Sequence, residues 1–102
     1  MSKKEETKKN RTALDGFREE ITKIDAEMAQ LFERRMHVSS DIAAYKKANG
    51  LPVYDPVREA ENLSKGKERV SPEMQEYYQE FLQEVMDLSK KYQRELRGEE
   101  EQ

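Results

Sequence analysis

From Leu14 onward, large side chains return at steps of three and four without a slip: Leu14, Phe17, Ile21, Ile24, Met28, Leu31, Arg35, Val38, Ile42 and Tyr45. That spacing is the a/d repeat of a helical seam, and nine of its ten occupants are apolar. Thr12 with Asp15 three places on gives a capping-box start, and Asn49-Gly50 followed by Pro52 gives a left-handed stop. The pattern therefore predicts one helix from near residue 12, about 36 residues and about 54 Å long. A compact domain of about 100 residues has a radius of gyration of only about 13 Å. The remaining residues cannot cover such a seam, so a partner chain packing a second copy alongside is expected.

Composition points the same way. Of 102 residues, 34% are apolar or aromatic and 40% are charged, and seven of the apolar ones are alanine. A small domain hides only about 60% of its unfolded surface, and so thin a core calls for a partner subunit. The absence of cysteine excludes disulfides, thiolate nucleophiles, iron–sulfur clusters and cysteine-based zinc sites. With His37 the single histidine, no multi-histidine metal site forms within one chain. Gly16, Gly50, Gly66 and Gly98 are too scattered for a phosphate loop or dinucleotide fingerprint. The longest apolar run, Ile42 to Tyr45, is far short of the roughly 20 residues of a membrane span, and no signal peptide opens the chain. A soluble cytoplasmic protein without membrane association is expected. Net charge is -3 with both signs intermixed, which gives no reason to bind nucleic acid.

Along the chain, residues 1–11 carry a dense charge mix with Met1 as their one apolar side chain, and read as a flexible tail. After a loop at Asn49 to Tyr54, Asp55-Pro56 is an N-cap with proline at the first helical position; Val57, Ala60 and Leu63 give the short helix an apolar face, and it is expected to end near Gly66. Ser71-Pro72-Glu73-Met74 repeats the start signal, and Met74, Tyr78, Phe81, Val85, Leu88 and Tyr92 form a seam expected to face the first helix. Residues 98–102 are polar and expected to fray. No alternating run supports a strand pair. The reading is all-α: one helical domain over residues 12–97, with long, short and medium helices, in an obligate dimer.

Arg35 breaks the seam. A buried guanidinium costs several kcal/mol unless an anion meets it, either a glutamate of a neighbouring helix or a ligand. Lys46, eleven residues on, projects on nearly the same side of the helix, about 16 Å away along the axis. Arg18 lies about 25 Å from Arg35 along the same helix. It is either a solvated surface residue or, in an antiparallel two-fold dimer, a contributor to its partner's site. Asp55, Arg58 and Glu59 cluster in the first turn of the short helix, where a well-capped helix start is the simpler account. Ser89 and Gln93, four residues apart, share one helix face and offer hydrogen bonds to a ligand or across an interface. His37 falls between seam positions and takes no role.

Taken in order, Phe17-Arg18-Glu19-Glu20-Ile21, Glu33-Arg34-Arg35, Lys46, Val53-Tyr54-Asp55-Pro56-Val57-Arg58-Glu59, and Ser89 with Gln93 closely resemble the all-helical chorismate mutases over about residues 12 to 95. The resemblance implies an intertwined homodimer of three-helix chains in which each active site borrows one arginine from the other subunit. It implies that Arg35 and the partner's copy of Arg18 hold the two carboxylates of chorismate, supported by Arg58 and Ser89. Lys46 and Gln93 would hydrogen-bond the ether oxygen, and Glu59 with Asp55, through side chain or backbone, would receive the ring hydroxyl. No metal and no cofactor are implied. Conversion of chorismate to prephenate is an intramolecular pericyclic rearrangement needing neither, which suits this residue list. The length leaves no room for a fused second enzyme, so a stand-alone enzyme is expected. The alternatives are isochorismate pyruvate lyase activity, served by a similar helical fold, and a non-catalytic helical dimerisation module whose Arg35 is paired internally.

Overall fold

The computed structural model describes residues 12–98. The expected tail at residues 1–11 lies outside them, as do residues 99–102 of the expected frayed end. The described chain is all-helical: α1 (Ala13–Ala48), α2 (Pro56–Lys67), a 3-10 turn (Pro72–Met74) and α3 (Gln75–Leu96), with no strand among the described residues. None of these helices is long and apolar enough to cross a membrane.

Local chemistry sets the boundaries. The Thr12 amide donates to Asp15 Oδ2 at 3.0 Å and the Asp15 amide to Thr12 Oγ1 at 3.2 Å, a reciprocal capping box. At the other end of α1, Gly50 takes φ 66°, its amide bonds the Lys47 carbonyl, and the Leu51 amide bonds the Lys46 carbonyl at 2.8 Å. Those two bonds are the Schellman stop, which a glycine permits without strain. Asp55 caps α2, its Oδ1 accepting from the Arg58 amide at 3.1 Å, with Pro56 in the first turn. The start of α3 departs from expectation: Ser71 makes no side-chain cap, and the chain passes through the 3-10 turn before the α-helix begins at Gln75. The Gln75 side chain donates to the Lys67 carbonyl at 3.0 Å, tying that start to the end of α2.

The chain divides within α1 into two compact units, one ending at Arg34 and one starting at Arg35. In the first, the seam residues Leu14, Phe17, Ile21, Ile24, Met28 and Leu31 are all exposed, Phe17 at 62%. This unit therefore carries a continuous uncovered apolar stripe. Isolated apolar residues at a surface are ordinary, but a contiguous stripe is not.

The second unit has a small core: Ala43, Val53, Leu82 and Met86, with the polar Ser39, Ser89 and Gln93 equally buried. Its faces differ from those expected. On α1 the inward stripe is Arg35, Ser39, Ala43 and Lys46, spaced i, i+4, i+8 and i+11, whereas Val38, Ile42 and Tyr45 are exposed. Small Ser39 and Ala43 let α1 come close enough for Ser39 Oγ to lie 2.6 Å from Ser89 Oγ of α3, an approach that larger seam residues would block. On α3 the buried line is Leu82, Met86, Ser89 and Gln93, while Phe81 and Leu88, and Met74 in the turn before it, are exposed. On α2, Val57 and Ala60 are exposed and the inward face is Glu59, Asn62, Leu63 and Gly66. The helix ends at Lys67, near Gly66 as expected, and Gly66 itself is buried in its last turn. A Cβ there would come within 2.9 Å of Leu82 Cδ2 and 3.2 Å of Tyr78 Cε2, so glycine is what lets α2 and α3 approach.

Candidate active site

Three buried polar side chains connect α1 to α3. Ser39 Oγ and Ser89 Oγ are 2.6 Å apart, and Gln93 Nε2 donates to Ser89 Oγ at 3.1 Å. Gln93 and Ser89 stand one turn apart on the inward line of α3, which fixes their bond locally, whereas Ser39 comes from fifty residues earlier. Gln93 Oε1 is buried with no hydrogen-bond partner among the described residues. A buried amide oxygen left unpaired costs about 1–3 kcal/mol. The chain of hydrogen bonds ends there with an acceptor unsatisfied.

Arg35 and Lys46 flank Ser39 and Ala43 on the same inward stripe, both half-buried. Lys46 Nζ donates to the Val53 carbonyl at 2.9 Å, so the loop after α1 holds its ammonium. The Arg35 side chain forms neither an ion pair nor a hydrogen bond with any described residue. A guanidinium drawn partly out of water without an anion stabilises a bound carboxylate more than a fully solvated one would. The expectation of an internally paired Arg35, on which the dimerisation-module alternative rests, finds no partner among the described residues.

Glu59 lies on the inward face of α2, its Oε2 2.8 Å from Lys90 Nζ and its Oε1 3.4 Å from Gln83 Nε2. Lys90 also pairs with Asp87 at 3.2 Å and sits 4.8 Å from the centre of the Tyr54 ring. Burial opposes the charge on Lys90, but its bonds to Glu59 and Asp87 outweigh this and hold its pKa above the usual lysine value. The hydrogen bond from Gln83, against a smaller opposing effect of burial and with help from Lys90, holds Asp87 below the usual carboxylate range. The carboxylate of Glu59 is thus fixed from behind, with lone pairs to spare on both oxygens.

The side chains of the other candidate residues make no hydrogen bond or ion pair with these groups. Asp55 spends one carboxylate oxygen on capping α2. Arg58 is exposed and makes only a loose ion pair with Glu61 at 3.7 Å, a contact of little energetic weight. Arg18 belongs to the first unit, where its carbonyl accepts from Thr22 Oγ1 at 2.9 Å. The groove lined by Lys67, Pro72, Gln75 and Tyr77 contains none of the candidate residues. Sequence reasoning missed Ser39 and Lys90. Ser39 did carry a signal, lying four residues after Arg35 and seven before Lys46 on one helix face. Lys90 carried none, because its main partner is thirty-one positions away in the sequence.

The half-buried cations Arg35 and Lys46, the buried chain of Ser39, Ser89 and Gln93, and the held Glu59 carboxylate are the polar groups that the second unit offers a ligand. The family model for type II chorismate mutases matches residues 17–94, and the chain belongs to that family. Among curated proteins, the chain is 43% identical over 47 residues to the T-protein of Haemophilus influenzae, covering 46% of this chain and 12% of that one. It is 40% identical over 50 residues to the 3-dehydroquinate dehydratase of Pyrobaculum aerophilum, covering 49% of this chain and 17% of that one. The chain thus spans less than a fifth of the length of either relative. No solved structure matches the chain significantly.

Proposed function

We propose that this chain is a chorismate mutase, converting chorismate to prephenate by a pericyclic rearrangement on the route to phenylalanine and tyrosine, and that it works as a cytoplasmic homodimer through its domain of residues 12–97. The half-buried Arg35 guanidinium without a protein counterion, set on one stripe with Lys46 and beside an open-ended buried hydrogen-bond chain, carries this reading; membership of the family supports it. Arg35 and the partner's copy of Arg18 grip the two carboxylates, with Arg58 and Ser89 in support. Glu59, steadied by Lys90, receives the ring hydroxyl together with Asp55. Lys46 and Gln93 face the ether oxygen.

In the reaction the carbon–oxygen bond breaks as a carbon–carbon bond forms, and no proton or electron leaves the substrate. Catalysis therefore comes from two sources. The clamp holds a flexible molecule in its compact reactive conformer. The cation and amide at the ether oxygen stabilise negative charge that grows there only in the transition state. Preorganised donors of this kind are typically worth about 3 to 4 kcal/mol, or roughly 100- to 1000-fold in rate.

The test is the ultraviolet absorbance of chorismate with and without the purified protein. Loss of absorbance with formation of prephenate supports the reading. Release of pyruvate from isochorismate, without prephenate from chorismate, would replace it with the lyase. Arg35→Ala and Lys46→Ala should each keep the helix content and lose roughly 100-fold or more in kcat/KM; unfolding of Arg35→Ala would favour a structural module instead.

A further inference from the structure

Ser39 has no role in the proposed reaction as described so far, yet it is among the most buried polar groups of the second unit, at 4% exposure. Its hydroxyl and that of Ser89 lie 2.6 Å apart, and either can be the donor. A hydroxyl has one hydrogen to give and two lone pairs to offer. Which serine donates decides whether Ser89 has a hydrogen left for anything else.

Two arrangements of the Gln93 amide are open, because its oxygen and nitrogen exchange places on rotation. With Nε2 toward Ser89, as in the structure, Ser89 Oγ accepts from Gln93 at 3.1 Å. Ser89 can then pass its own hydrogen to a bound carboxylate only if Ser39 does not take it. With the amide turned over, Oε1 accepts the hydrogen of Ser89, its unpaired state is relieved, and Nε2 takes the position without a protein partner. An ether oxygen only accepts, so this orientation meets it directly. Again Ser39 cannot also receive that hydrogen. In both arrangements a bound acceptor is served when Ser39 donates to Ser89, and is denied when Ser39 accepts from it. The choice is real, because a helical serine can instead turn its hydrogen to the carbonyl four residues back.

We infer that Ser39 is a positioning residue: by donating to Ser89 it sets the polarity of the buried chain and releases the hydrogen of Ser89 toward the substrate side. The inference rests on the chorismate mutase reading. It predicts that Ser39 acts through Ser89 and not on the substrate.

The experiment is a double-mutant cycle in the full-length protein. Ser39→Cys keeps the shape while replacing a strong donor with a weak one, and Ser39→Ala removes it. Each should reduce kcat/KM about tenfold, the worth of one hydrogen bond, well below the melting temperature and with unchanged helix content. In a Ser89→Ala background neither should have a further effect. Unchanged turnover in Ser39→Cys would overturn the inference, as would an undiminished loss in the Ser89→Ala background. If the wild-type protein leaves chorismate unconverted, the proposed activity fails by itself. The polarity is then decided by the side-chain amide resonances of Gln93: a shift in Ser39→Cys upholds it, and resonances unmoved by that change overturn it.

Discussion

Replacing Lys90 with methionine isolates the ion pair that holds Glu59. Lys90 Nζ is 2.8 Å from Glu59 Oε2, and both side chains are only 17% exposed. At that distance and an effective dielectric of about 20 the gross attraction is about 6 kcal/mol, but desolvating the two ions takes back several kcal/mol of it. Fully exposed pairs net about 0 to 1 kcal/mol, while removing one partner of a buried pair costs about 3 to 5 kcal/mol. The remaining exposure puts this pair between those limits, and the exposed Asp87 adds little. Methionine keeps the packed stem of Lys90 but loses the cation over Tyr54, worth about 0.5 to 1 kcal/mol. Lys90→Met should therefore destabilise the fold by about 2 kcal/mol in all, measured by urea unfolding at one protein concentration and pH 7. Glu59→Gln in the same background should cost less than it does alone, because its partner has already gone. A stability within about 0.5 kcal/mol of wild type would refute the reasoning and leave Glu59 held by Gln83 alone.

The same cluster predicts a pH dependence. The lowered pKa of Asp87 gives stability that is present above its ordinary value of 3.8 and lost as pH falls through the lower folded value. The raised pKa of Lys90 gives stability present below 10.5 and lost as pH rises through the higher folded value. Wild type minus Lys90→Met, followed by urea midpoint, should thus shrink at the alkaline extreme and only slightly at the acid one, because Gln83, the larger cause at Asp87, remains in both proteins; a difference that changes between pH 6 and 9 would contradict it. Mixing Arg18→Ala chains with Lys46→Ala chains should restore about one working site per heterodimer, and no recovery after verified subunit exchange would count against site sharing. Gly66→Ala gains about 1 kcal/mol of helix propensity but drives a methyl to 2.9 Å from Leu82 Cδ2, and overpacking costs about 1 to 3 kcal/mol. A net loss of about 1 kcal/mol is expected in urea, and a stabilised variant would show that Leu82 yields freely.

Apart from the start of α3, where Ser71 makes no cap, the helix ends were legible because their chemistry is local. Thr12 with Asp15, Asn49-Gly50 and Asp55-Pro56 each bond within a few residues, and all three form as their spacing indicates. The faces were harder to read. Apolar residues occupy more than one side of α1 and α3, and periodicity ranks Val38, Ile42 and Tyr45 above Ser39 and Ala43. The structure buries the small pair instead, because contact with α3 at Ser39 demands close approach. Arg35 and Lys46 stood out as charges sharing one side of a helix. The pair of Lys90 with Glu59 had no counterpart in the sequence, since neither spacing nor composition encodes which helices meet.

The polar core has a consequence for how the protein stays folded. Ser39, Ser89 and Gln93 take three of the buried positions that a small domain would otherwise fill with apolar side chains, beside only four apolar ones among the described residues. Burying a large apolar side chain completely is worth about 1.5 to 3 kcal/mol, so each seam residue of the first unit, about half exposed, withholds roughly 1 kcal/mol. Six such residues withhold about 6 kcal/mol, comparable to the whole stability of a small domain. If a second copy supplies that burial, folding and association are one equilibrium, and the melting temperature must depend on protein concentration. Each tenfold dilution removes about 1.4 kcal/mol per dimer, which for about 200 residues lowers the melting temperature by about 4 °C. A melting temperature constant over a hundredfold range of concentration would show that no second copy covers the seam as the chain folds, and would leave Arg18 with no partner's site to enter.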